Sequence, residues 1–163
     1  MVTGKFIRGN DDLREVEDVR MRVFVEEQGF CAAEEMDAYD ARAIHCLLYD
    51  GEGKPAATGR LYIDDDGYWR IGRVAVVRER RGQQMGDLVM RMLLYRALEL
   101  GAGEIWLGAQ LPAVGFYARY GFKPVGEIYD DEGVPHRWMR AMAEEVNLEG
   151  SCGGHSHCAG CAG

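Results

Sequence analysis

The feature that most constrains this chain is an abrupt change of period near Arg78. From Arg73 to Val77 it reads RVAVV, a run of β-branched residues that forms a strand. From Met85 the apolar residues Met85, Leu88, Val89, Met92, Leu93 and Leu98 recur at helical spacing until Gly101 and Gly103 stop them. A strand, a turn and a long helix in succession aim several unpaired backbone N–H groups and the positive end of a helix dipole at one point, where an anion belongs. In the turn, RRGQQMG, Arg81 can add a charge-assisted contact to a phosphate, and Gly82 and Gly86 let the backbone come close. Two glycines in a strand-to-helix turn also arise by chance, so the hexapeptide alone leaves both readings open.

The rest of the chain supplies the sheet. KFIRG (5–9) is a short strand, and the apolar stripe Val16, Val19, Val23, Phe24 marks a first helix ending near Gln28-Gly29. The acidic stretch from Phe30 to His45 is a short helix or ordered loop. Ile44–Tyr49, AATGRLYID and YWRIGRVAVV then read as three strands separated by DGEGKP and DDDG turns, an antiparallel meander. EIWLGA is a buried strand, PAVGFYARYG a short helix opened by Pro112 and closed by Gly121, and FKPVGEIYDDEG with PHRWMRAM a final strand pair. The order β-α-α-β-β-β-α-β-α-β-β implies an α/β (α+β) fold, a mixed, mostly antiparallel sheet with helices on both faces.

With 163 residues the chain suffices for one domain with a real core. Its 27 acidic against 19 basic side chains, a formal charge of −8, disfavour nucleic acid and suit a cationic, amine-bearing small substrate. No apolar run is long enough to span a bilayer and the N-terminus lacks a signal-peptide core, so no membrane partner is expected and a cytoplasmic location is. The cysteines are not spaced as a disulfide framework, which fits a reducing compartment.

Three motifs in order carry a family resemblance. The turn Arg81-Gly82-Gln83-Gln84-Met85-Gly86 resembles the coenzyme A loop of the GNAT (GCN5-related N-acetyltransferase) superfamily, Arg/Gln-x-x-Gly-x-Gly/Ala. RVAVV before it is similar to the family's splayed strand, and FYARYGF (116–122) to its later F-Y-x-x-x-G-F segment. VFVEEQGF, EMDAYDARAIH and GVPHRWM look like a subgroup of small stand-alone domains, so the likeness covers about Lys5 to Met142. The resemblance implies a sheet of about seven strands, a transferase domain over 1–146, and acetyl-CoA as cosubstrate, passed directly to a small-molecule amine or peptide by a monomer or homodimer. The departure is Gln84, which stands where the pattern has glycine. A left-handed φ there would cost a glutamine about 1–2 kcal/mol. Ordinary helical dihedrals are the expectation for a residue in the helix's first turn, with the side chain turned away from the pyrophosphate.

The resemblance also assigns roles. Main-chain groups of Val74, Ala75 and Val76 would hold the pantetheine arm and the acetyl carbonyl, their side chains serving the core. Tyr117 would protonate or hydrogen-bond the coenzyme A sulfur, a phenol with an unperturbed pKa of about 10 keeping its proton at neutral pH. The competing reading makes Tyr117 a core aromatic beside Phe116. Gln110 stands where many relatives carry asparagine near the cofactor arm. For the general base, the acidic pool Glu26, Glu27, Glu34, Glu35, Asp37 and Asp40, with His45 on the next strand and His136 in GVPHRWM, offers candidates. A solvated acidic face, a hydrogen-bonded core His45 and a proton relayed by bulk water are the alternatives.

The tail from Asn147 to Gly163 is too Gly-rich to fold by burial. Cys152, His155, His157, Cys158 and Cys161 crowd ten of its residues, a ligand set for Zn²⁺ or another soft metal such as Cu(I) or Ni²⁺, without the second ligand pair of a zinc finger. Incidental or redox-active thiols are the other reading. A non-catalytic, coenzyme A-binding or metal-responsive regulator is the alternative to an enzyme.

Overall fold

The computed structural model describes residues 1–149. In chain order it contains β1 (Thr3–Arg8), α1 (Arg14–Arg20), α2 (Ala32–Glu35), β2 (Ile44–Tyr49), β3 (Pro55–Ile63), β4 (Trp69–Val76), α3 (Met85–Glu99), β5 (Glu104–Gln110), α4 (Val114–Ala118), β6 (Lys123–Asp131) and β7 (Val134–Met142). The strands form one seven-stranded sheet in the order β1-β2-β3-β4-β5-β7-β6. All neighbours are antiparallel except β4 and β5. This is the mixed, mostly antiparallel architecture that the alternation of periods implies.

Helices cover both faces, as two adjacent residues of β3 demonstrate. A methyl added at Gly59 would lie 2.7 Å from Val89 Cγ1 and 2.9 Å from Leu93 Cδ1 of α3, so the strand and helix backbones close up only because the side chain is missing. Arg60, the next residue, points to the opposite face. There it meets Asp40, which also pairs with Arg20 of α1.

Two sequence expectations need correction in detail. The first helix is not α-helical throughout: after Arg20 it continues as a π-helix over Met21–Glu27, with Gln28 N–H bonding five residues back to the Val23 carbonyl. The wider turn keeps Val23 and Phe24, adjacent in sequence, both buried. In α3 the buried face runs through Met85, Gly86, Val89, Met90, Leu93, Leu94 and Ala97, so Leu88, placed on the stripe by its spacing, is 37% exposed. The stripe is centred one position later than the leucines alone indicate.

Candidate active site

The site begins where the sheet comes apart. β4 and β5 pair only at Trp69–Ile105 and Arg70–Trp106, and two residues farther along each strand Gly72 and Gly108 line one cavity instead of pairing. The cause is a β-bulge. The β3–β4 register steps from Arg60–Gly72 to Thr58–Ala75, so Gly59 faces both Arg73 and Val74, one residue more than a regular ladder allows. Arg73 absorbs the extra residue at φ 52°, a left-handed conformation rare for a long side chain. Beyond it Val74, Ala75 and Val76 are buried by their side chains on β4, where that strand has no register partner on β5. Their main-chain groups on the β5 side, apart from the Val76 carbonyl that accepts from Arg81 Nε, are therefore available to an extended ligand arm.

Because β4 and β5 are parallel, the helices that follow them, α3 and α4, both start at the same end of the sheet, the end where ligands gather in open α/β folds. In α3 the first intrahelical bond closes from Leu88 N–H to the Gln84 carbonyl, so the N–H groups of Met85, Gly86 and Asp87 precede the ladder. Gly82 sits at φ 78° with nothing within 4 Å of an added Cβ, leaving room for a phosphate to reach the main chain. Gln83 and Gln84 are exposed beside it. These features fit the pyrophosphate of coenzyme A: orphan donors, an open glycine and a dipole of the right sign.

Two residues of the loop depart from the sequence expectation. Gln84 is the N-cap of α3 at φ 63°, ψ 19°, left-handed rather than helical, and its side chain makes no cap hydrogen bond. It stands one position before the helix, where the chain must reverse into the first turn, which is the conformation for which the motif uses glycine. Arg81 is not free for a phosphate. Its Nη1 and Nη2 donate to Glu27 Oε1 and Oε2 at 2.6 and 2.8 Å, and its Nε donates to the Val76 carbonyl at 3.1 Å. Hydrogen bonding to Arg81 in turn holds the Glu27 carboxyl below its ordinary range.

A cavity of about 250 Å³ opens from the gap between β4 and β5. Tyr129 of β6 and Trp138 of β7 stack at 5.2 Å in its wall, and Tyr129 stacks on His136 at 5.5 Å. The His136 ring is nearly buried, at 6% exposure. Its Nδ1 lies 2.8 Å from the Val134 carbonyl, and since a carbonyl only accepts, that nitrogen carries the proton. In the neutral ring Nε2 is then the lone-pair nitrogen. Gln110, opposite His136 in the β5–β7 register, also lines the cavity and donates to Gln28 Oε1 at 2.8 Å. Gly108 makes room for Tyr129, whose hydroxyl would lie 2.3 Å from a Cβ there.

Behind the cavity lies a buried ionic network that accounts for much of the acidic segment. Arg20, fully buried, donates to Glu35 Oε1 at 3.1 Å and to Asp40 Oδ1 at 2.6 Å. Arg60 reaches Asp37 and Asp40 at 2.6 and 2.9 Å, and Arg73 reaches Glu35 at 3.1 Å. Burial works against the Asp40 charge, yet the Arg20 bond and both guanidinium charges hold its carboxyl down at about 2. For Glu35 burial wins, and its carboxyl lies above the ordinary range. Asp37 is held low despite its burial, chiefly by Arg60. The network ties α1 and the 31–42 segment to β3 and to the strained Arg73.

The structure places Gln110 and His136 on the cavity, gathers Val76, Arg81, Gly82, Gln84, Met85 and Gly86 around the start of α3, and leaves His45 out of both. His45 is fully buried on β2, its Nε2 3.0 Å from the Asp40 carbonyl, and it does not line the cavity; burial pushes its pKa down. It is a core histidine braced against the ionic network. Tyr117 and Phe116 sit in an aromatic cluster with Tyr120 and Phe122, Tyr117 at 2% exposure and its ring 5.1 Å from Phe116. The proposed metal ligands Cys152, His155, His157, Cys158 and Cys161 lie outside the described residues. Sequence reasoning missed Arg20, Arg73, Tyr129 and Trp138. Arg20 left a signal, being an arginine four residues after Val16 on the apolar stripe; the left-handed Arg73 left none.

Comparison with known proteins agrees with this geometry. The family model described as Acetyltransferase (GNAT) family matches residues 13–122. The chain is 35% identical over 133 residues to the Uncharacterized N-acetyltransferase YjcF of Bacillus subtilis (strain 168), covering 81% of this chain and 94% of that one. It is 34% identical over 132 residues to Protein ElaA of Escherichia coli (strain K12), covering 78% and 84%. Among solved structures, an acyl-CoA N-acyltransferase from Pseudomonas aeruginosa superposes with a TM-score of 0.78 at 30% identity over 86% of this chain and 99% of that chain. No helix among the described residues is long and apolar enough to cross a membrane. The split sheet, the open turn before α3 and these relatives agree: the chain belongs to the acetyltransferase (GNAT) family and is an acyl-CoA-dependent N-acyltransferase.

Proposed function

We propose that the donor is acetyl-CoA and that the acetyl group passes directly to a primary amine of a small molecule or peptide. The observation that carries this reading is His136: a nearly buried imidazole, its tautomer fixed by Val134, in a cavity that opens onto the gap between β4 and β5. The amine nitrogen attacks the thioester carbonyl carbon, the N–C bond forms and the C–S bond breaks. The proton lost from the amine goes to His136 Nε2, and the departing thiolate takes one from the Tyr117 hydroxyl. Main-chain groups of Val74–Val76 polarise the carbonyl, and the turn from Arg81 to Gly86 holds the pyrophosphate. Glu35, Asp37 and Asp40 are engaged by arginines, which leaves His136 as the better base.

The same reading takes residues 1–146 as the transferase domain of a cytoplasmic monomer or homodimer, and the Cys/His tail as a separate metal-binding segment without a part in acetyl transfer. The test is a panel of amines followed by coenzyme A release from acetyl-CoA. One or more amines should turn over, and His136→Gln should lower kcat by about 10²-fold or more. Acetyl-CoA binding without release for any amine would overturn the proposal in favour of a regulator.

A further inference from the structure

We infer that the cavity takes a diamine, an acceptor whose second ammonium group is held at the cavity mouth by Glu34, Asp131 and Glu132; the assignment rests on the reading of the cavity as the acceptor site. Charge within the cavity is unevenly satisfied. Its arginines are all engaged: Arg60 by Asp37 and Asp40, Arg70 by Asp64, Arg73 by Glu35 and Asp37. Glu34, Asp131 and Glu132 line the same cavity, are exposed, and belong to no ion pair among the described residues. The uncompensated charge facing an incoming acceptor is therefore negative.

Geometry sharpens this. Glu34 and Glu132 come from distant parts of the chain, yet carboxylate oxygens of the two approach within 4.8 Å of one another. Like charges that close repel, and a cation between them removes the repulsion. Glu132 is itself held at φ 50° and accepts the Cys31 N–H at 3.2 Å, so its direction is fixed by the backbone on both sides of the mouth. Deeper in, the stacked Tyr129–Trp138 pair offers an apolar wall for a methylene chain, and His136, 6% exposed, lines the cavity with no protein partner for Nε2 among the described residues. One ammonium at the mouth, an aliphatic spacer along the aromatic wall and a neutral amine at His136 use all three features. A free carboxylate on the acceptor would meet only arginines already paired.

The test is calorimetric titration of the full-length protein saturated with coenzyme A, so that no turnover occurs, using 1,5-diaminopentane, pentylamine and 5-aminopentanoate. The diamine should bind about tenfold more tightly than pentylamine, with 5-aminopentanoate weakest. The Glu34→Gln/Glu132→Gln variant, both positions being exposed, should fold as the parent by circular dichroism and lose most of that advantage. Equal affinities for diamine and monoamine, or an advantage that survives in the variant, would overturn the inference. If the order of binding holds while acetyl-CoA releases no coenzyme A with any of the three, acyl transfer to amines falls and the diamine site stands.

Discussion

Arg81 and Glu27 are joined by two parallel hydrogen bonds of 2.6 and 2.8 Å that fasten the turn before α3 to the end of the π-helix. The pairing makes Arg81 a brace for this turn. Glu27→Gln and Arg81→Ala should each weaken acetyl-CoA binding by roughly tenfold, and the double variant should be no weaker than either single one. Calorimetry on the four proteins checks this. An Arg81 that gripped the pyrophosphate itself would instead leave Glu27→Gln binding at least as tightly as the parent.

Gln84 holds a left-handed conformation at φ 63° without a compensating cap bond. Gln84→Gly should therefore stabilise the fold by up to about 1 kcal/mol, part of the relieved strain being offset by the greater freedom of glycine in the unfolded chain. A rise in Tm of about 2–4 °C is expected, with acetyl-CoA affinity little changed because the side chain is exposed. A large gain in affinity would mean that the glutamine side chain crowds the pyrophosphate.

These two loop residues show what the sequence carried and what it did not. The periods of RVAVV and of the helix after Met85 name their elements, because alternation and helical spacing are local properties of a chain that must bury one face. The open turn before α3 was legible in part because Gly82 records a backbone conformation, at φ 78°. The Arg81–Glu27 pair spans 54 positions and the Arg20–Asp40 pair 20, so neither is visible in any local window. The bulge at Arg73 was hidden for a further reason: an arginine at positive φ is held there by Glu35 and Asp37, not by its own preference. His136 was named from its motif, while its tautomer depends on a contact only the folded hairpin supplies.

The buried network sets the acid sensitivity of the fold. Asp40 has a folded value of about 2 against 3.8 for a free aspartate, so its stabilisation is complete above 3.8 and is lost as pH falls toward 2. That shift corresponds to about 2 kcal/mol. Glu35, raised above 4.5 by burial, has the opposite sign and offsets part of it. Asp40→Asn leaves Arg20 and Arg60 undercompensated and should cost about 3–5 kcal/mol at neutral pH. Urea unfolding should show that deficit shrinking by about 2 kcal/mol as pH falls below the aspartate range. A deficit independent of pH would contradict the pairing.

His45 adds a milder step. Burial lowers its pKa below 6.5, so below that pH the unfolded chain takes up a proton that the native chain refuses. Stability should start to decline as pH falls through 6.5 and level off below the folded value, and a His45→Asn variant should lack this step in the same urea series.

Gly108 and Tyr129 meet too closely for any side chain at 108. Gly108→Ala should displace the Tyr129 ring from the cavity wall and lower kcat/KM for the amine by about tenfold, with acetyl-CoA affinity kept. Steady-state kinetics with each substrate varied in turn separates the two effects.

The most direct measurement is the initial-rate pattern for acetyl-CoA and a productive amine, combined with mass spectrometry of the protein incubated with acetyl-CoA alone. Direct transfer between two substrates held on either side of the β4–β5 gap requires intersecting double-reciprocal lines and an unmodified protein. Parallel lines with an acetylated chain would contradict it.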